Sequence, residues 1–302
     1  MSKSSKLSIN WILQSFNVIL FSAKGEIFMP QLICPVCREK LTLNNKSYIC
    51  PKGHCFDLAK SGYVNLLPPS AGGKRHGDDK LMVKARTRFL DRGFYNKLSD
   101  SIAQCVCNYS EDEVHIVDAG CGEGKYTADM LSALKAEGKQ AHILGIDISK
   151  EALICAGKRC KELTLCAAST AHMPIEDESC HIVVNIFSPF MAEEFARVLG
   201  PKGKLIRIVP LEKHLWELKE LIYDKPLPNP PMDMEAEGFE IIARQQLCYE
   251  IELESSEEIM DLFMMTPYYY KTGAEDQKKA ESADHLKTKL EFGIYVYEKS
   301  LG

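Results

Sequence analysis

The stretch Val114-His115-Ile116-Val117-Asp118-Ala119-Gly120-Cys121-Gly122-Glu123-Gly124 decides the fold of this chain. It leads from an apolar strand into a turn with glycine at every second position, and residues 126–134 follow with the apolar spacing of a helix. Glycine lets a ligand approach the backbone closely, and a strand, a glycine turn and a helix in succession form a nucleotide-binding unit. The stretch therefore predicts that Gly120 and Gly122 contact a nucleotide-type cofactor.

Two cofactor classes compete for this turn. A dinucleotide site requires the pattern G-x-G-x-x-G, and Lys125 stands where the third glycine should be. The next strand, at 142–146, ends at Asp147, and an acidic residue there can accept hydrogen bonds from both ribose hydroxyls. The alternative role of Asp147 is the N-cap of a helix over 149–158. The turn resembles the first motif of class I methyltransferases, which implies S-adenosylmethionine as the cofactor and Gly120, Gly122 and Asp147 as residues that bind it.

Strands and helices continue to alternate after this unit. Further strands are predicted at 163–168, 180–187, 204–209, 239–253 and 292–298, and further helices at 191–199 and 214–223. About seven strands, five of them alternating with helices, predict an α/β fold with a Rossmann-like, doubly wound sheet. Ligands bind at the carboxyl ends of the strands in such sheets. One edge should therefore carry the residues that follow four strands, namely Gly122, Asp147, Ser169 and Ser188.

A cysteine-histidine cluster precedes this domain. Its members, Cys34, Cys37, Cys50 and His54, follow the pattern C-x2-C-x12-C-x3-H. Zinc prefers four such ligands in a tetrahedron, and two short strands around Asn44-Asn45 should form a hairpin between the two halves of the cluster. Because four ligands leave no open coordination position, the sequence predicts a structural zinc ion. Cys55 adjoins His54 and could compete with it as the fourth ligand.

The composition is that of an ordinary globular protein, but its charge is unevenly distributed. The net charge is -5, yet residues 1–97 contain 16 Lys/Arg and 6 Asp/Glu, whereas the remainder contains 21 and 36. A basic front predicts an anionic partner there, and solvated surface charge is the simpler alternative. Most of the twelve cysteines lie in apolar segments without paired spacing. This distribution favours buried free thiols in a reducing cytoplasm over a disulfide scaffold.

The sequence suggests four segments. Residues 1–28 form an extension, 29–68 the zinc-binding module, 69–110 a basic helical linker, and 111–302 the methyltransferase domain. The extension begins with a basic run and an apolar stretch like a secretory signal, but polar residues interrupt it and no cleavage motif follows. We expect that Met29 is the true start or that residues 1–28 are a poorly ordered extension. The sequence shows no apolar stretch long enough to predict a membrane-spanning helix.

From Cys34 onward, the chain resembles the bacterial 23S rRNA (guanine-N1)-methyltransferase family, a group of zinc-binding class I methyltransferases. The resemblance rests on short runs in matching order over about 270 residues: Phe56-Asp57, 62–67, 77–78, Met82, Ala85-Arg86, Phe89-Leu90, 121–124, Tyr126-Thr127, Pro189, 192–194, His214-Leu215, 217–219, 221–223 and 265–267. Two departures stand out. The family has Tyr-Ala-Pro-Cys where this chain has residues 187–190, and an aromatic residue where it has Lys125.

The resemblance implies a function and residue roles. It implies methyl transfer to N1 of a guanosine in a 23S rRNA hairpin, in the cytoplasm, by a protein that could form a homodimer. The zinc ligands would be the four residues of the cysteine-histidine cluster. Tyr95, Gly122, Glu123 and His214 match family positions that contact the cofactor. Without the resemblance, Tyr95 would be a packing aromatic residue and His214 a solvent-facing residue at the start of a helix.

Residues that act on the target base are harder to identify from the sequence, and the catalytic residues are unknown. Guanine N1 carries a proton at neutral pH, so a base is needed, and the candidates are Asp78, Asp79 and Glu193. Asn185 or Ser188 could orient the base edge, and Phe187 or Phe190 could stack on it, although core packing explains these residues equally well. Residues 74–97 contain eight Lys/Arg and three acids, and we expect Arg86 and Arg88 to contact RNA phosphates.

Two other functions stay open at this point. A small-molecule methyltransferase, of the quinone or metabolite kind, would share the catalytic domain but rarely a zinc cluster and basic linker. A non-enzymatic zinc protein that binds nucleic acid would not need the intact glycine turn. Binding of S-adenosylmethionine separates the second function from the others.

Overall fold

The computed structural model describes residues 31–68 and 78–300, and the expectations for residues 1–28, Met29, Lys74, Arg75 and Gly77 fall outside this part of the chain. The strands are β1 (Thr42–Asn44), β2 (Ser47–Ile49), β3 (Cys55–Asp57), β4 (Tyr63–Asn65), β5 (Glu113–Ala119), β6 (Gln140–Asp147), β7 (Thr164–Ala167), β8 (Cys180–Ile186), β9 (Leu199–Pro210), β10 (Phe239–Leu253) and β11 (Leu286–Lys299). The helices are α1 (Lys80–Asp91), α2 (Asn96–Asn108), α3 (Lys125–Ala136), α4 (Lys150–Arg159), α5 (Ala192–Val198), α6 (Trp216–Ile222), α7 (Ser256–Met264) and α8 (Ala274–Ser282).

The main sheet has the strand order β10-β11-β9-β8-β5-β6-β7-β4. Strand β5 lies at its centre and pairs in parallel with both β6 and β8, whereas β11 runs antiparallel to β9 and β10. Chain order therefore reverses on the two sides of β5, and in open α/β sheets this reversal opens a crevice at the carboxyl ends of the strands. The predicted doubly wound α/β class is confirmed, and the glycine turn follows the strand at the reversal.

Strand β5 shows why this stretch dominates the fold. Val114 and Ile116 are buried on one face of the sheet, and Val117 and Ala119 are buried on the other. A parallel strand covered on both faces is apolar throughout rather than alternating. The core on one face includes Ile102 and Val106 of α2.

The main sheet contains eight strands rather than about seven, because β4 joins it. Strand β4 pairs in parallel with β7, with Val64 opposite Cys166, and Val64 is fully buried. From the sequence, these residues were expected only as the exit of the zinc-binding module. Three residues are too few for a periodicity that would predict a strand.

Further differences from the sequence prediction concern the bounds and number of the helices and strands. Strand β9 begins at Leu199, where the sequence predicted the end of a helix, and helices α7 and α8 were not predicted. Ser255 caps α7 through its side chain, which accepts from the Glu258 backbone N–H at 3.3 Å. Within the described residues, no helix is long and apolar enough to cross a membrane.

Candidate active site and metal centre

Cys34, Cys37, Cys50 and His54 converge on one point. Their donor atoms all lie within 4.8 Å of one another, and His54 Nδ1 lies 3.5 Å from Cys34 Sγ and 3.3 Å from Cys50 Sγ. A tetrahedral zinc ion with thiolate bonds of about 2.3 Å needs ligand atoms separated by somewhat less than about 4 Å. The four residues therefore fit a closed zinc site. Cys55, the alternative ligand, is exposed and lies outside this group.

The local backbone explains this convergence. Gly53 has φ +82°, and its N–H donates to Cys50 O at 2.9 Å, which closes the turn between the last two ligands. Burial raises the pKa of the Cys50 thiol, but donation by the His54 backbone N–H and by neighbouring side chains more than offsets it and lowers this pKa to about 6. The thiolate, which is the form that binds zinc, is thus favoured.

The zinc-binding segment is anchored on the main sheet. Leu32 and Leu41 belong to the same buried cluster as Leu144 and Ile146 of β6. The Ile33 N–H donates to Pro174 O at 2.9 Å, which ties the segment to the loop between β7 and β8. The metal centre and the sheet therefore share one hydrophobic core.

The glycine turn is compact and conformationally demanding. Gly120, Gly122 and Gly124 have φ of +92°, +56° and +81°, a region that side-chain-bearing residues rarely adopt. A Cβ on Gly120 would overlap the Ser188 side chain, and one on Gly124 would lie 2.8 Å from Ala156 Cβ. Among the described residues, a Cβ on Gly122 would meet within 4 Å only a guanidinium nitrogen of Arg86, at 3.7 Å, apart from its chain neighbours. Gly122 is therefore the position where the turn faces open space.

Asp147 is locked against this turn. Its Oδ2 accepts from the Gly122 N–H at 2.9 Å and its Oδ1 from the Ser149 N–H at 2.7 Å. Ser149 itself caps α4, so the alternative role of Asp147 as the N-cap is wrong. A carboxylate has about four lone-pair positions, so two acceptor positions remain for ribose hydroxyls.

Two further acids are buried beside the turn. Glu123 is 2% exposed; its Oε1 lies 3.3 Å from the Arg159 guanidinium, and its Oε2 accepts from the Lys125 N–H at 3.2 Å. Burial raises the pKa of Asp118 to about 7, only partly offset by the hydroxyl of Thr127, and the buried Asp118 Oδ1 has no hydrogen-bond partner among the described residues. With Asp147, these acids place three carboxyl groups around the turn, an arrangement that a cationic ligand would stabilise.

Arg86 and Arg88 both form ion pairs within the protein, although Arg88 is exposed and Arg86 is half-buried. Arg86 pairs with Asp78, and Arg88 pairs with Asp261, a carboxylate with no exposed surface. In each ion pair an arginine of α1 binds a carboxylate of the same chain: Asp78 precedes α1, and Asp261 lies in α7. The expectation that both contact RNA phosphates stays a prediction, and the ion pairs add partners that the helix pattern could not show.

An aromatic cluster on β11 brings together residues that are distant in sequence. The ring of Phe292 lies 4.6 Å from that of His214, 5.4 Å from Tyr95 and 5.6 Å from Phe187, measured between centroids. Phe187 is adjacent in sequence to Ser188, which packs against Gly120. This chain of contacts links Tyr95 and His214 to the glycine turn. Phe292 was not identified from the sequence, because it lies in an ordinary apolar strand and carries no motif.

His214 is buried, contrary to its interpretation as a solvent-facing residue. It is 6% exposed, and its Nδ1 accepts from the Glu291 N–H at 3.2 Å. Burial, together with the nearby Lys219 ammonium, lowers the pKa of His214 to about 3. The imidazole is therefore neutral at physiological pH, and its other ring nitrogen can donate a hydrogen bond.

The loop after β8 distinguishes the two phenylalanine candidates. Phe190 lies beneath the Arg207 guanidinium, 4.0 Å from ring centroid to Cζ, and packs on Phe195. Phe187 is 45% exposed and has φ +51°, a conformation that is strained for a bulky residue. The amide of Asn185 donates to Ser188 Oγ at 2.6 Å, so these two polar residues brace the loop.

Comparisons with known proteins agree with this geometry. The family model described as RlmA, N-terminal, matches residues 32–72, and a methyltransferase domain model matches residues 116–203. YxjB of Bacillus subtilis strain 168 is 35% identical over 63% of this chain and 68% of its own length. A relative from Micromonospora griseorubida is 34% identical over 63% of this chain and 69% of its own length. Both are provisionally named 23S rRNA (guanine-N(1)-)-methyltransferases.

A third relative is the 23S rRNA (guanine(748)-N(1))-methyltransferase of Streptomyces fradiae, which is 31% identical over 63% of this chain and 67% of its own length. The chain belongs to the 23S rRNA (guanine-N1)-methyltransferase family. Membership identifies S-adenosylmethionine and structural zinc as the groups that the two sites take. The cysteine-histidine cluster fits zinc by donor type and spacing. The open Gly122 and the partnerless Asp118 Oδ1 fit a cationic nucleoside cofactor.

Proposed function

We propose that this protein transfers the methyl group of S-adenosylmethionine to N1 of a guanosine in 23S ribosomal RNA. The observation that carries the proposal is the glycine turn locked to Asp147, in a core shared with the zinc centre. The printed names of three relatives at 31–35% identity supply the substrate class. The division of the chain at residues 28, 68 and 110 remains a proposal.

The proposed cofactor-binding residues lie on two sides of one site. Gly120, Gly122 and Glu123 lie in the turn after β5, and Asp147 ends β6 at a position where it can accept the ribose hydroxyls. Tyr95 and His214 contact Phe292, which reaches the turn through Phe187, and this cluster supports their proposed role in holding the cofactor. Bound S-adenosylmethionine supplies the methyl group on a sulfonium. The protein's residues hold donor and acceptor in line, which is where most of the rate enhancement for such a displacement arises.

Phe187 is the proposed stacking surface for the target guanine. Its exposed ring lies beside the glycine turn, on the Phe292 cluster, whereas Phe190 is covered by Arg207. Backbone strain of the kind seen at Phe187 costs about 1–3 kcal/mol and concentrates at functional sites. Splayed RNA bases stack on such rings.

Glu193 is the candidate that we favour as the base that accepts the guanine N1 proton. Asp78 faces Arg86 beside Gly122, at the proposed cofactor rather than the target base, and Asp79 caps α1 through hydrogen bonds to the Leu81 and Met82 N–H groups. Glu193 is exposed in the first turn of α5, immediately after the loop that carries Phe187. We propose Glu193 as the base on this placement.

The proposed RNA-binding surface includes the exposed lysines of α1. Lys80 and Lys84 are exposed and lie one helical turn apart. Ala85 and Phe89 of the same helix are buried. Removing one lysine that binds a phosphate should lower the salt slope of RNA binding by about 1. We also propose that the target guanosine lies in an RNA hairpin, and that the protein is a cytoplasmic homodimer.

Methylation of a 23S rRNA fragment in vitro, with the modified nucleoside located by mass spectrometry, tests the function. Asp147→Asn should abolish cofactor binding and methylation. Phe187→Leu should impair methylation but leave S-adenosylhomocysteine binding unchanged, and Phe187→Tyr should restore activity. If the wild-type protein methylates small metabolites but not rRNA, the substrate assignment is wrong.

The RNA surface has its own control. Lys80→Ala with Lys84→Ala should weaken RNA binding and flatten its salt dependence. Lys225→Ala with Lys278→Ala removes two exposed charges from the acidic half of the chain and should leave both unchanged. Equal effects of the two pairs would contradict the proposed surface.

A further inference from the structure

We propose that Arg86 binds the carboxylate of the methionine moiety of the cofactor, and that Asp78 is the carboxylate that Arg86 holds before the cofactor arrives. This inference rests on S-adenosylmethionine being the cofactor, as proposed above. Its starting point is the position of Arg86, whose Nη1 lies 3.7 Å from the place where a Cβ on Gly122 would stand. Apart from the two residues that adjoin Gly122, no other atom of the described residues approaches that place within 4 Å.

The charges around the turn explain why a cation is needed there. Asp118, Glu123 and Asp147 suit the ammonium and sulfonium groups and the ribose hydroxyls of the cofactor, but they repel its carboxylate. Among the described cations, Arg86 alone lies within 4 Å of the Gly122 Cβ position, whereas Lys125 pairs with Asp129, and Arg159 pairs with Glu123 and Asp91. Arg86 is therefore the guanidinium placed to offset the negative charge of the carboxylate.

The resting partner of Arg86 is itself a carboxylate. Arg86 Nη1 pairs with Asp78 Oδ2, and Arg86 Nη2 lies 3.5 Å from Met265 O. Asp78 is held over the site because its carbonyl oxygen accepts from the Ser149 hydroxyl at 2.8 Å, next to Asp147. The cofactor carboxylate can replace the Asp78 carboxylate with the same chemistry, so the guanidinium never has to stand unpaired in a partly buried site.

Helix α1 fixes the position of the Arg86 backbone. The neighbouring Ala85 and Phe89 have no exposed surface, so the backbone that carries Arg86 is fixed against the core. The Arg86 and Asp78 side chains are 24% and 29% exposed, so both can rearrange without unfolding the helix. A fixed backbone with a partly exposed guanidinium suits exchange between two carboxylates.

Calorimetric titration with two ligands tests this inference on the zinc-loaded, full-length protein. S-adenosylhomocysteine carries the amino-acid carboxylate, and 5′-methylthioadenosine lacks it. Arg86→Gln should weaken S-adenosylhomocysteine binding by roughly tenfold to a hundredfold, the range for hydrogen bonds to charged groups, and leave 5′-methylthioadenosine binding nearly unchanged. Arg86→Lys should fall between the two proteins, because it keeps the charge but loses the planar fork. Asp78→Asn, which removes the resting partner, should leave S-adenosylhomocysteine binding equal to or tighter than that of the wild type.

Other results would overturn the inference. If Arg86→Gln weakens both ligands equally, or neither, Arg86 does not recognise the carboxylate. If Asp78→Asn weakens S-adenosylhomocysteine as much as Arg86→Gln does, the pair serves the fold. Thermal unfolding and zinc content of each variant identify a folding defect. If the wild-type protein binds neither ligand, the cofactor assignment fails as well, which separates that result from failure of the Arg86 inference alone.

Discussion

The zinc centre and the cofactor site of this protein are assembled in opposite ways. All four zinc ligands lie between residues 34 and 54, and two short turns are enough to bring them together. The proposed cofactor site draws Gly122 from the turn after β5, Asp147 from β6, Arg86 from α1 and Phe292 from β11. Residue spacing in the sequence can therefore predict a local site, whereas it predicts only some of the residues of a site that a sheet assembles from distant segments.

The strongest test of this contrast is removal of zinc. Cys50→Ser should abolish zinc binding and rRNA methylation, since structural zinc contributes on the order of 10 kcal/mol to folding in small zinc modules. S-adenosylhomocysteine binding should survive, because the turn and Asp147 are held by the sheet. Metal analysis and calorimetric titration measure the two effects. Cys55→Ser, which changes the exposed neighbour, should retain zinc; loss of cofactor binding in Cys50→Ser would show that the sites are not separable.

A second test concerns the glycine turn. Gly120→Ala should lower the free energy of unfolding by about 3–5 kcal/mol, because it adds overlap with Ser188 to the strain of φ +92°. Gly138→Ala is the matched control, because Gly138 has φ +77° and no atom of the described part of the chain, apart from its neighbours in sequence, lies within 4 Å of its Cβ position. That variant should lose only about 1 kcal/mol, from backbone strain alone. Denaturant unfolding compares the two variants; equal losses would mean that contact with Ser188 is unimportant.

A third test uses pH, since acid should weaken the sheet through a group outside both sites. His115 has no exposed surface and stacks on His142, with centroids 5.0 Å apart; burial, followed by the nearby His142 and His181, lowers the pKa of His115 to about 4. Between pH 6.5 and about 4, the unfolded chain therefore binds more protons at His115 than the folded protein does. The free energy of unfolding, which is at its full value at neutral pH, falls as the pH drops through this range. The slope should approach about 1.4 kcal/mol per pH unit for this histidine.

The control for the pH test is exposed His285. His115→Gln should reduce the slope of unfolding free energy against pH, and His285→Gln should leave it unchanged. Denaturant unfolding at several pH values measures both slopes. An unchanged slope in His115→Gln would assign the acid sensitivity to other groups, such as buried His214.

The smallest expected change in stability concerns the contact between α4 and the end of the zinc-binding module. A Cβ on Gly157 of α4 would overlap the carbonyl oxygen of Ser61, just before β4. Replacing glycine by alanine within a helix normally stabilises it by about 1 kcal/mol. Gly157→Ala should instead lower the free energy of unfolding by about 1–2 kcal/mol, because the overlap exceeds that gain. A net gain in stability would show that β4 can move away from α4 at little cost.

Several features could be predicted from the sequence because they are local. The zinc ligands, the glycine turn and the apolar strand β5 each carry their pattern within about twenty residues. The alternation of strands and helices indicated the fold class for the same reason. Strand β4 could not be predicted, because three residues have no periodicity. The partners of Arg86 and Arg88 could not be predicted either, because charge pairing across the fold leaves no pattern in the chain.

The sequence by itself determined the chemistry available to this protein: thiolates and an imidazole at zinc spacing, and a glycine turn followed by an acid. Only the tertiary structure decided which side chains face that turn. It buried His214, exposed Phe187 rather than Phe190, and directed Arg86 to Gly122 instead of to solvent. The physical reason is that short-range spacing fixes backbone conformation, whereas the neighbours of a side chain are set by strand order and by the packing of distant elements on a shared core.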